Sequence, residues 1–121
     1  MNFKQLKTHL YNRISSLTDL TVYNGSSPSL AIFPYVTFVI TSSFEGVRGR
    51  SDKILELDYW TDSNNDSILL DEAEKVKQGL NYMWQSENDG FLSSYLEFEA
   101  EIPNQEKNIS HINQRYVLKV R

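Results

Sequence analysis

From Lys53 to Thr61 the chain alternates, with Leu55, Leu57 and Tyr59 at one set of positions and Glu56, Asp58 and Trp60 at the other. Successive side chains of a strand point to opposite faces, so this run has one face for a core and one that is mostly polar. Antiparallel sheets covered on one side read this way, whereas parallel sheets buried on both faces read as unbroken apolar runs. The chain therefore needs a sheet and a single covering layer. Trp60 stands on the polar side, where a large aromatic has no core to fill.

Three further stretches are strand-like. Tyr35 to Ser43 is rich in β-branched and aromatic residues, with Val36, Phe38 and Ile40 on one face and Tyr35, Thr37, Val39 and Thr41 on the other. Pro34 precedes it, where a missing N–H costs the ladder little. Phe44 to Asp52, with Gly46 and Gly49, reads as the connection of a long hairpin to Lys53–Thr61. Tyr95 to Ile102 places Leu96, Phe98, Ala100 and Ile102 on one side and Tyr95, Glu97, Glu99 and Glu101 on the other. His111 to Val120 closes the chain with Ile112, Tyr116, Leu118 and Val120 inward. Leu20 to Tyr23 is a short β-prone piece ended by the Asn24-Gly25 turn signal.

The covering layer comes from two amphipathic stripes. Phe3, Leu6, Leu10, Ile14 and Leu17 recur at helical spacing, with Asn2 and Gln5 placed as a capping box and Thr18-Asp19 as the stop. Leu69, Ala73, Val76, Leu80 and Met83 define a second helix, preceded by the potential caps Asp62 to Ser67. Gly79 weakens it by about 1 kcal/mol relative to Ala, which predicts fraying in its last turn. The expected fold class is α+β: a mostly antiparallel four- to five-stranded sheet with two helices packed on one face.

The 121 residues fit one domain spanning 1–121, and 40 % hydrophobic residues are enough to fill its core. With no cysteine, disulfides, thiolate metal sites and Cys nucleophiles are excluded. Net charge is −4 and the pI about 5.1, against a dedicated nucleic-acid binder. The polar start, Met1 to Gln5, lacks the apolar region of a signal peptide, and the longest apolar run, Leu30 to Val36, is too short to span a bilayer. A soluble cytoplasmic product is expected, in which the sequons at Asn24, Asn65 and Asn108 carry no meaning.

Candidate chemistry is sparse. Asp62-x-Asn64-x-Asp66 opens like an EF-hand loop, but Ser67 and Ala73 occupy the positions that need Gly and Glu, so the cluster reads as turn and cap. His9 and His111, the only histidines, have no partner at a spacing that predicts a triad. Gly46-x-x-Gly49 leads into a strand and offers no helix N-terminus for a phosphate. Glu97, Glu99 and Glu101 on one strand face read as a solvated face, or as partners for Arg or Lys in an assembly. Arg48 and Arg50 are either two solvated residues at a hairpin tip or an arm that grips an acidic subunit or passing nucleic acid. No catalytic residue, cofactor or metal site is predicted; the chain reads as a binding or structural module and not as an enzyme.

Four phrases carry a family resemblance: Ile32-Phe33-Pro34-Tyr35-Val36-Thr37-Phe38, Ile54-Leu55-Glu56-Leu57-Asp58-Tyr59-Trp60, the helix of Leu69, Ala73, Val76 and Leu80, and Gln114-Arg115-Tyr116-Val117-Leu118-Lys119-Val120. In this order, over nearly the whole chain, they resemble the tail terminator (tail completion, head-to-tail joining) proteins of long-tailed phages. The resemblance implies a ring, usually a hexamer, on the head-proximal end of the tail tube, assembled in the bacterial cytoplasm and carried in the virion at the head–tail junction. Its partners would be further copies of itself, the tail tube protein and head connector proteins, with DNA touched at most in passing and no membrane. Subunit contacts are expected at Phe44, Arg48, Arg50, Trp60, Glu97 and Glu99, because a closed ring needs two complementary patches on each subunit. The competing readings are a head-side connector or stopper of the same machinery and an unrelated small cytoplasmic protein-binding module.

Overall fold

A computed structural model describes residues 2–28, 31–45, 51–62, 65–87, 90–103 and 108–120. Helix α1 (Phe3–Leu17) starts on the anticipated capping box: Asn2 Oδ1 accepts from the Gln5 backbone N–H and Gln5 Oε1 from the Asn2 N–H, both at 2.8 Å. Leu6, Leu10 and Ile14 are fully buried, whereas Phe3 at the end of the stripe is 46 % exposed. Then follow β1 (Thr21–Asn24), β2 (Tyr35–Glu45), β3 (Ser51–Asp62), α2 (Asp66–Leu80), β4 (Met83–Glu87), β5 (Gly90–Glu101) and β6 (Ile109–Val120). The fold is α+β as expected, but the sheet has six strands in the order β1-β2-β3-β6-β5-β4 and is mixed. Among the described residues no helix is long and apolar enough to cross a membrane.

Two local features account for the difference. The chain turns at Gly25, at φ +94°, whose N–H donates to the Phe38 carbonyl at 2.8 Å. The following segment returns it to the start of β2, so β1 and β2 run parallel, Thr21 beside Tyr35 and Asn24 beside Phe38. The second feature is β4. Met83 continues the apolar stripe of α2 by three residues, but the helix stops at Asn81, whose N–H still donates to Lys77. Tyr82 then adopts φ +59° and redirects the chain into an edge strand paired with β5. Met83 is buried as part of that strand.

Both helices cover the same sheet face. α1 packs on β1, and His9 Nε2 lies 2.9 Å from Gln85 Oε1 of β4, so the sheet curls until its two edge strands flank α1. α2 packs on β3, β5 and β6. The core between the layers includes Val36, Phe38, Leu55, Leu57, Tyr59, Tyr116 and Leu118, all fully buried. Within it, Gln114 Oε1 accepts from the Tyr59 and Tyr116 hydroxyls at 2.7 and 2.9 Å. Its Nε2 donates to the Ala73 carbonyl at 3.0 Å and to Glu99 Oε2 at 2.6 Å.

The last turn of α2 is helical to Leu80, and Gly79 lets it pack against α1. A Cβ at this position would stand 2.3 Å from Leu17 Cδ2, so the absent side chain lets α1 and α2 approach. Arg13 Nη2 also donates to the Gly79 carbonyl at 3.3 Å. Gly79→Ala should therefore lower stability by about 1–2 kcal/mol, the overpacking cost exceeding the propensity gain of about 1 kcal/mol. In a Leu17→Ala background the same change should become neutral or stabilising. Thermal unfolding of the four chains checks this; a more stable Gly79→Ala single variant rejects it.

Candidate functional site

The face of the sheet turned away from the helices has no covering layer among the described residues, and β3 and β6 run through its middle. Their register sets three cross-strand pairs on it: Trp60 opposite His111, Asp58 opposite Asn113, Glu56 opposite Arg115. Directly opposed side chains in an antiparallel pair lie close enough to interact, and each of these does. The Trp60 and His111 rings stack with centroids 3.7 Å apart and planes 14° from parallel. Asp58 Oδ1 accepts from His111 at 2.7 Å and from Asn113 Nδ2 at 2.9 Å. An ionised carboxylate only accepts, so His111 Nε2 carries the proton it donates. Arg115 reaches Glu56 Oε1 through Nη2 at 2.9 Å and Nε at 3.1 Å, and its guanidinium lies 5.6 Å from the Phe98 ring centre.

The electrostatics of this face thus differ from the expected row of free carboxylates. Glu56 and Asp58 are each engaged within the subunit, and large apolar side chains share the rest of the face: Val39, Trp84, Tyr95 and Phe98 are exposed. One corner gathers more rings, with Tyr23 edge-on to Tyr35 at 5.7 Å and Phe33 stacked on Tyr35 at 5.6 Å. A face whose central carboxylates are paired and whose aromatics turn outward resembles the centre of a protein interface, where charge is depleted and large rings are enriched.

Burial of Asp58 acts to raise its pKa, but the hydrogen bonds from His111 and Asn113 and the nearby His111 charge outweigh it and hold the carboxyl below its usual value. With the folded pKa depressed, the stabilisation is fully present above the unfolded value, about 3.9, and disappears as pH falls through the folded one. The stability gap between the wild-type chain and Asp58→Asn should accordingly be largest near neutrality and shrink below about pH 4. Urea titrations at pH 7 and pH 3 measure it, and a gap that does not change with pH rejects the assignment.

Of the anticipated contact residues, Trp60, Glu97 and Glu99 have described side chains. Trp60 lies on the outer face as expected, supported by a histidine that nothing in the local sequence pairs with it. Phe44 belongs to β2 and pairs with Asp52, while its side chain and the whole of Arg48 and Arg50 lie outside the described residues. The two glutamates require a correction. Leu96 pairs with Tyr116 and Phe98 with Arg115, so Glu97 is an extra residue, a β-bulge that exchanges the faces beyond it. Phe98 turns outward, and Glu99 turns to the helix side, where it meets Gln114 and Lys77 Nζ at 3.4 Å. Glu97 itself is exposed. Near α2, Asn65 Nδ2 donates to Asp62 at 2.6 Å, a turn contact, and Asp66 accepts from the Ser110 hydroxyl; the expected cap is not made, since Asn65 at the N-cap forms no side-chain bond to the helix N-terminus.

No protein-family model and no curated protein sequence matches this chain. Among solved structures it is similar to a chain of the virion of a native gene transfer agent particle, with a TM-score of 0.73 at 14 % identity. The likeness covers 96 % of this chain and 92 % of that one. At such identity it is the fold that is shared: the two chains have the same architecture from end to end.

Proposed function

We propose that this chain is a structural subunit of a phage-like virion, and more narrowly the ring that ends the tail tube and joins tail to head. The observation that carries the reading is the end-to-end fold likeness to a virion chain, with almost nothing left over on either side. It agrees with the family that the sequence phrases resemble. The outer sheet face supports the same reading, because its paired charges and outward rings suit a protein partner better than a small molecule or nucleic acid. In this reading the outer face seats on the tail tube protein, the chain works by binding and not by catalysis, and it resides at the head–tail junction.

A head-side connector would share the fold likeness, and one experiment separates the two. Purified tail tube protein polymerising alone should give tubes of unlimited length; with this chain present, electron microscopy should show shorter tubes bearing a ring of extra density at one end. Tubes that grow unchecked and bare sink the terminator reading. Binding to a portal complex in the same preparation would favour the connector instead.

A further inference from the structure

We infer that copies of this chain join head to tail through helix α1 of one subunit and a groove beside helix α2 of the next. This deepens the ring reading above and rests on it. The first surface is a stripe on α1. Phe3, Lys7 and Tyr11 recur every four residues and so lie along one line of the helix, with Lys4 beside them. Both aromatics are more than two-fifths exposed, and Lys7 Nζ stands 5.3 Å from the Phe3 ring centre. α1 contains Lys4, Lys7 and Arg13 and no acidic residue, although the whole chain is net negative at −4. Lys4 has no ion-pair partner among the described residues.

The second surface is of the opposite sign. Between α2 and the facing ends of β5 and β6 run two adjoining hollows of about 290 and 240 Å³ that share Leu70, Glu101 and Ile112. Their walls mix apolar and polar groups, with Ile102 and Ile109 beside Ser110 and His111 at one end and Leu70, 47 % exposed, in the middle. Their rims are carboxylates: Asp66 at one end, Glu74 and Glu99 at the other, and Glu101 in both. Glu74 and Glu99 share Lys77, but Glu101 has no cationic partner among the described residues. An exposed groove with leucine and isoleucine in its walls and an unpaired carboxylate on its rim calls for a helix that brings rings for the floor and ammonium groups for the rim. The α1 stripe supplies both.

The two surfaces have no residue in common, as a heterologous contact requires if each subunit is to use both at once. Such contacts close into rings or extend into filaments according to the rotation between neighbours. Apart from His111, which also lines one hollow, the outer sheet face takes no part and stays available for the tail tube, so each subunit can hold its ring neighbours and its axial partner together.

Charge reversal on the full chain tests the contact. Lys4→Glu/Lys7→Glu and Glu74→Lys/Glu101→Lys should each weaken self-association at least tenfold in sedimentation equilibrium. An equimolar mixture of the two should recover it, because every mixed contact again pairs opposite signs. Carbodiimide coupling of a mixed-isotope wild-type sample gives a second measurement that needs no variant to fold. It should link Lys4 or Lys7 of one copy to Glu74 or Glu101 of another. The inference is overturned if folded charge-reversed chains associate like wild type, if the mixture does not recover, if the links are absent from associated protein, or if the wild type stays monomeric both free and on tubes. Should tubes be capped normally by both reversed variants, this contact falls while the terminator reading stands. Should the contact be found but tubes grow unchecked, only the terminator reading falls.

Discussion

Gln114→Leu is expected to lower the unfolding free energy by about 3–5 kcal/mol, although it replaces one buried side chain by another of similar size. The amide is fully buried and uses all its hydrogen-bonding capacity, accepting from two tyrosines and donating to the Ala73 carbonyl and Glu99. Burial, with nearby carboxylates adding to it, holds both phenols above their ordinary pKa, so they remain donors at any working pH. Leucine leaves two hydroxyls unpaired inside the core, and each such group costs about 1–3 kcal/mol, partly relieved where neighbours relax; the Ala73 carbonyl keeps its partner within α2. A domain of this kind has about 5–15 kcal/mol in total. If the network is the cause, the cost should shrink markedly in a Tyr59→Phe/Tyr116→Phe background, where no phenol is left to strand. Urea unfolding of these chains decides it; a loss under about 1 kcal/mol from Gln114→Leu alone would mean that the network contributes little.

Trp60→Ala should separate binding from folding. Trp60 points away from the helices and its main support is the His111 ring, so its removal opens no cavity in the core. Unfolding free energy should fall by about 1 kcal/mol or less, the range for an aromatic pair on a sheet face. Attachment to tail tubes, in the reading proposed above, should weaken by about 2 kcal/mol or more, roughly thirtyfold, because tryptophans at the centre of interfaces carry a disproportionate share of their energy. Self-association through α1 and the α2 groove should be unaffected. Pelleting the chain with preformed tubes measures the first quantity and sedimentation of the chain alone the second. Undiminished pelleting of a folded Trp60→Ala chain would remove Trp60 from the interface.

Much of the fold is legible in the sequence because it is written in local periodicity. The capping box at Asn2 and Gln5, the stripe of α2 and the alternation of β3 all appear where their spacing puts them. What escapes is of three physical kinds. β4 is five residues long and begins on a methionine that also fits the preceding helix, so length and period cannot tell the two apart. The parallel pairing of β1 depends on where the chain after Gly25 returns, which no short pattern encodes. The outer face depends on register: Asp58 and His111 are 53 residues apart and meet only because β3 and β6 align as they do. The Trp60–His111 stack was accessible only in part, since an aromatic on a polar face signals a role without naming its neighbour.

The bulge at Glu97 has a consequence for how such a surface can change over time. Up to Leu96, β5 follows one in-and-out frame against β6; from Phe98 it follows the other. A strand built this way carries two reading frames, and the extra residue is the shift between them. Losing Glu97 would leave Leu96 opposite Tyr116 and Phe98 opposite Arg115 in plain alternation, so each keeps its face; only a slip of register beyond the bulge would trade Phe98 for Glu99 on the outer side. The extra residue is therefore one that β5 can lose while its outer surface keeps the same side chains.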